Sequence, residues 1–144
     1  MGGTGPRRQA REIALQVLYA ADAARDLEQA SLPGVFERIV TEFQAPARAK
    51  ERARELVVGI AANLKQIDER IAAACSHWKL HRLAAVDRNV LRTATYELLF
   101  EPEVPAEVVI DEAVEIARRF AGEASPAFVN GVLDVIARDR AGRT

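Results

Sequence analysis

Residues 86–100, VDRNVLRTATYELLF, constrain the fold of this chain more than any other stretch. Read as a helix, they place Val86, Val90, Leu91, Ala94 and Leu98 on one broad apolar surface, which Leu83 and Leu99 extend at its two ends. A surface helix needs only an apolar stripe; this one needs neighbours on more than one side. Its polar residues gather at the start (Asp87, Arg88, Asn89) and further in (Arg92, Glu97). The pattern predicts a buried central helix whose first turn, with Asp87 and Arg88, forms a surface ledge. Arg92 is expected to pair with a carboxylate such as Glu97 or Glu112.

The segments around it read as amphipathic helices. Strong helix formers dominate, and no run alternates apolar and polar residues as a half-buried strand would, so the fold class is all-α. Residues 6–24 form the first predicted helix, with Pro6 in a first turn where its missing N–H has no intrahelical partner. A second is predicted over 33–43, after possible caps at Asp26 or Ser31, and a long third over 47–74. Gly59 marks a kink or a close backbone approach within that third helix. The Pro102 and Pro105 pair forces a break after residue 100. A helix then covers 106–121, with Val109, Ala113, Ile116 and Phe120 inward, and Ser125-Pro126 starts a last helix through 139. In mid-helix, Gly131 costs about 1 kcal/mol relative to Ala, which predicts a tight crossing there, beside a buried Asn130 amide.

Composition narrows the functional classes. The 144 residues make one domain large enough to bury a core without disulfides or metal. The formal net charge is −1, so attraction to nucleic acid must come from a local patch. No apolar run approaches a membrane span, the N-terminus lacks a signal-peptide core, and the single Cys75 excludes an internal disulfide; these point to the cytoplasm. Cys75, His77 and His81 invite a metal reading, but no further Cys or His pair completes a zinc ligand set, and no metal or other cofactor is expected. Trp78 is expected to cap the core instead. No nucleophile elbow, phosphate-cradling glycine loop or helical HExxH is present, so the chain is not expected to be an enzyme. Glu107, Asp111, Glu112 and Glu115 near the start of their helix, and Arg118 and Arg119 near its end, follow the macrodipole.

Arg7, Arg8 and Arg11 crowd the start of the first helix, the unfavourable end for cations. They are either a solvated helix start compensated by Glu12 or a phosphate-binding arm. Lys79, His81 and Arg82 make a small basic edge before the central helix.

Three blocks then carry a resemblance: RRQAREIALQVLY (7–19), LAAVDRNVLRTATYELLF (83–100) and VPAEVVIDEAVEIARRFAGEASPAFVNGVLD (104–134). Together they resemble, in the family's order, the bacterial transcription antitermination factor NusB family. The last block is the most specific, an IDEAVEIA helix followed by a short loop and FVNGVLD; residues 22–82 match only in helical pattern and spacing.

The resemblance implies about seven helices in two small helical bundles sharing a core. It divides the domain into a flexible N-terminus at 1–6, one bundle at about 7–74 and another at about 82–139. It also implies a non-enzymatic factor that binds boxA-type single-stranded RNA of ribosomal leader transcripts. The implied partners are a small-subunit ribosomal protein, the RNA polymerase elongation complex and other antitermination factors. On this resemblance Arg7, Arg8 and Arg11 contact RNA, with Lys79, Arg82 and Arg88 at the rim of the same surface. Phe128, from the FVNG match, is either a base-stacking residue or ordinary core. Tyr19 and Asp87 match family positions that face the ribosomal protein. A second reading is a stand-alone NusB-like interaction module, as a homodimer masking its RNA surface, associated with ribosomal RNA modification or processing.

Overall fold

The computed structural model describes residues 5–28, 31–75 and 79–141; Trp78 and His77 lie outside the described residues. Among them are seven α-helices and one 3₁₀ turn, with no strand, and the chain divides into two compact units.

The first unit, Met1–Ala62, holds α1 (Pro6–Ala23), α2 (Leu32–Val40) and α3 (Ala47–Ala62). Gly5 is extended, Pro6 opens the helix, and the Gln9 N–H donates to the Gly5 carbonyl at 2.9 Å. Ala10, Ile13, Ala14, Val17, Leu18 and Ala21 then recur at three- and four-residue intervals and are all buried. α3 answers with buried Ala49, Ala53, Leu56, Val57 and Ile60, and the alanines of both helices allow close packing. α2 adds Leu32, Val35, Phe36 and Val40; the Arg54 guanidinium of α3 lies 4.8 Å from the centre of the Phe36 ring and also pairs with Glu37.

α1 ends in a nested pair of backbone bonds. The Asp26 N–H reaches the Ala21 carbonyl at 2.7 Å, and the Arg25 N–H reaches that of Asp22 at 3.0 Å. Closing the helix this way puts Arg25 in the left-handed region, with φ 57°.

The helix predicted over 47–74 is interrupted. Asn63 leaves helical geometry (φ −124°, ψ 20°), and α4 (Leu64–Ala74) starts beyond it. Asparagine's short amide competes with the helix for backbone groups, which makes it a natural place for such a break. α4 packs with α5 and α7 inside the second unit, Asn63–Thr144, although the sequence reading grouped it with the first bundle.

The remaining elements of that unit are the 3₁₀ turn Leu80–Arg82, α5 (Ala85–Phe100), α6 (Ala106–Phe120) and α7 (Ser125–Ala141). α5 is packed by α4, α6 and α7, the surround its apolar breadth demands. Val90, Leu91, Ala94 and Leu98 meet a core of Ile67, Ile71, Val109, Ile116, Val129, Leu133 and Ile136. Fully burying each such large side chain contributes about 1.5–3 kcal/mol. α5 also buries Asp87, Asn89, Arg92, Thr93, Thr95 and Glu97. At its far end, Arg140 of α7 donates to the Glu101 carbonyl at 2.9 Å, placing a cation at the negative end of the α5 dipole.

Three sequence expectations are corrected here. Phe120 is 38% exposed, with the Arg119 guanidinium 5.6 Å from its ring centre, so it closes α6 at the surface. Asn130 is exposed. A Cβ added to Gly131 would meet nothing within 4 Å, so no helix crosses there within the unit. No helix among the described residues is long and apolar enough to cross a membrane.

Candidate nucleic-acid interface

The basic residues singled out by the sequence fall in two places, one in each unit. In the first unit, the opening turn of α1 carries no acidic residue and holds Arg7 and Arg8, with Arg11 in the next turn, the three at different depths. Arg7 is exposed, Arg8 is half-buried, and Arg11 is 9% exposed. Arg8 and Arg11 both have interaction partners within the fold, so Arg7 is the member that faces outward most fully. A guanidinium can fork onto phosphate oxygens, and the amides of a helix start add positive potential beside it. Tyr19 lies on the same helix and is 44% exposed. At 1.5 Å per residue it is roughly 16 Å along the axis from Arg8, far enough for the two to serve different partners.

In the second unit, Lys79, His81 and Arg82 are exposed on and beside the 3₁₀ turn. The turn is tied by Arg82 N–H to the Lys79 carbonyl at 2.9 Å and Leu83 N–H to the Leu80 carbonyl at 3.1 Å. Leu83 is buried beneath it. Arg88 does not stand beside these residues as an outward cation. It is half-buried, and its Nη1 donates to the Leu83 carbonyl at 2.8 Å and, more weakly, to that of Leu80 at 3.4 Å.

Asp87 also departs from the expected ledge. It is 9% exposed, and its Oδ1 is buried without a hydrogen-bond partner among the described residues. A carboxylate in the first turn of α5 is favoured by the dipole, but an orphaned buried oxygen carries a desolvation cost. Phe128 sits half-buried in the first turn of α7, intermediate between a core residue and an open stacking face. Among the described residues no three of His, Cys, Asp and Glu are gathered to hold a metal ion. Cys75 is buried, and burial pushes its thiol pKa above the ordinary 9.0.

Sequence reasoning missed the inward turn of Arg88 and the exposure of Phe120. The first was hidden because an arginine that holds a carbonyl and one that holds a phosphate are the same letter. The second had a signal in the adjacent Arg118 and Arg119, which mark the end of α6 as solvated.

Fold and surface together define a class: an all-helical protein with outward basic side chains on each of two units, the residue types that hold nucleic-acid phosphates. The chain belongs to the NusB family, whose family model matches residues 8–138. It is 46% identical over 135 residues to the transcription antitermination protein NusB of Sorangium cellulosum, covering 94% of both chains. The solved structure of Thermotoga maritima NusB superposes with a TM-score of 0.83 at 45% identity, covering 95% of this chain and 94% of that one. A chain from the crystal structure of antitermination factors NusB and NusE in complex with dsRNA gives a TM-score of 0.82 at 29% identity, over 93% of this chain and 97% of that one.

Proposed function

We propose that this chain is a non-enzymatic, cytoplasmic transcription antitermination factor. It binds boxA-type single-stranded RNA of ribosomal leader transcripts together with a small-subunit ribosomal protein and acts on RNA polymerase elongation complexes. Membership of the NusB family supports the general role, and the solved complex of NusB, NusE and dsRNA supports the joint RNA and protein partnership. The observation that carries the RNA assignment is the acid-free, arginine-bearing first turn of α1, with Arg7 outward. Arg7 and Arg8 hold phosphate, Arg11 backs them, and Phe128 stacks on an unpaired base. Tyr19 and Asp87 face the ribosomal protein.

The test is binding of a labelled boxA-type RNA, with and without the ribosomal protein, and with duplex RNA as the comparison. Binding should tighten when the protein is present. The two phosphate contacts of Arg7 and Arg8 give about −1.4 of salt slope, at about −0.7 each. Arg7→Ala with Arg8→Ala should make that slope shallower by about 1.4. An unchanged affinity and slope in that variant would remove the arm from the RNA site.

A further inference from the structure

We infer that Arg88 is a positioning residue: it orders the basic turn that carries Lys79 and Arg82 toward RNA and does not itself touch the ligand. The inference rests on the RNA-binding function proposed above and assigns a division of labour within it.

The geometry supplies the argument. Arg88 is in the first turns of α5, its N–H donating to the Ala84 carbonyl at 2.9 Å. A cation there is opposed by the helix dipole, so something local must hold it. The Leu83 carbonyl at 2.8 Å and the Leu80 carbonyl at 3.4 Å do so, with charge-assisted bonds. These carbonyls belong to the 3₁₀ turn and to the residue that follows it. Among the described residues, two short backbone bonds close the turn, from Arg82 to Lys79 and from Leu83 to Leu80. A three-residue 3₁₀ segment has poor intrinsic hydrogen-bond geometry. A guanidinium reaching the carbonyls of both Leu80 and Leu83 therefore restrains a segment that its own bonds hold weakly. The side chains left outward are Lys79, His81 and Arg82, all exposed. An exposed cationic edge suits an anionic polymer, which favours RNA over a protein surface as its ligand.

The test separates ordering from contact. In the free protein, Arg88→Ala should accelerate amide hydrogen exchange at Arg82 and Leu83 while leaving the central turns of α6 and α7 unchanged. In RNA titrations across salt, the same variant should make the slope shallower by about 1.4, because two phosphate contacts are lost. Direct loss of one contact allows only about 0.7. In a Lys79→Ala, Arg82→Ala background, Arg88→Ala should have no further effect, and Arg88→Lys should restore part of the slope to the single variant.

Unchanged exchange at Arg82 and Leu83 overturns the ordering role. A slope change near 0.7 that adds to the double variant makes Arg88 a contact residue. An effect on ribosomal-protein affinity alone assigns the turn to that partner. Wild-type protein that fails to bind RNA even with the ribosomal protein overturns the proposed function and the RNA role of the turn, whereas the exchange result still reads whether Arg88 orders it.

Discussion

Arg92 of α5 grips Asp68 of α4 with two parallel hydrogen bonds, Nε to Oδ1 at 2.8 Å and Nη2 to Oδ2 at 3.0 Å. The arginine is 5% exposed, and its Nη1 donates to the Asn89 side-chain oxygen at 3.0 Å. Asn89 in turn donates to the Ala85 carbonyl at 2.9 Å, and its own carbonyl accepts from Thr93 at 3.0 Å. This chain of polar groups fixes how α4 lies against α5 more specifically than apolar packing would.

Asp68→Ala should therefore cost about 3 kcal/mol, because it leaves a buried guanidinium without its carboxylate. Replacing both partners, as Asp68→Leu with Arg92→Met, should cost less than Asp68→Ala alone. Denaturant unfolding of the three proteins measures the difference. Equal stabilities of Asp68→Ala and wild type would show that the pair contributes nothing.

Thr95 is fully buried, and its hydroxyl has no hydrogen-bond partner among the described residues. Thr95→Val keeps the shape and removes the unsatisfied group. We expect a gain of about 1 kcal/mol, seen as a rise in Tm of roughly 3 °C. A loss of stability instead would mean that the hydroxyl is satisfied in solution.

Arg25 occupies the left-handed position that ends α1, where a Cβ is costly. Arg25→Gly should stabilise the protein by about 1 kcal/mol, reduced by the extra freedom of glycine in the unfolded chain. Calorimetry of the pair decides it, and a lower Tm for the glycine variant would reject the strain.

Burial raises the Cys75 thiol above 9.0, so the fold favours its neutral form. Its contribution is intact at neutral pH and is lost as pH rises through the folded value. Thermal melts from about pH 8 to 10 should lose stability faster for wild type than for Cys75→Ala. Parallel curves would show that the thiol is not linked to folding. The same burial should slow alkylation of the native protein at neutral pH.

Much of this architecture is legible from residue spacing. The recurrence of Ala10, Ile13, Ala14, Val17, Leu18 and Ala21 specifies the buried face of α1, and the breadth of apolar positions in 86–100 specifies a helix with neighbours on several sides. Periodicity says which face turns inward, not which distant group it meets. Asp68 is 24 residues from Arg92, so nearer carboxylates such as Glu97 and Glu112 drew the expectation. Gly131 shows the opposite error: its helix cost suggested a crossing, yet the space beside it is open. At the candidate site, residue type located the basic clusters but not their depth. Arg7, Arg8 and Arg11 differ in exposure through their angular positions around one helix, and Arg88 turns inward because carbonyls lie within its reach.

The bond from Arg140 to the Glu101 carbonyl also sets an order in time. During synthesis, α1, α2 and α3 can gather once Ala62 has left the ribosome. The end of α5 waits longer: the Val104 N–H reaches the Glu101 carbonyl locally at 3.0 Å, but its cation comes only with a residue 39 positions downstream. Maturation of the second unit thus waits for Arg140 to emerge, and a ribosome stalled before Arg140 would hold a nascent chain with the α1 arm formed and α5 still unlatched.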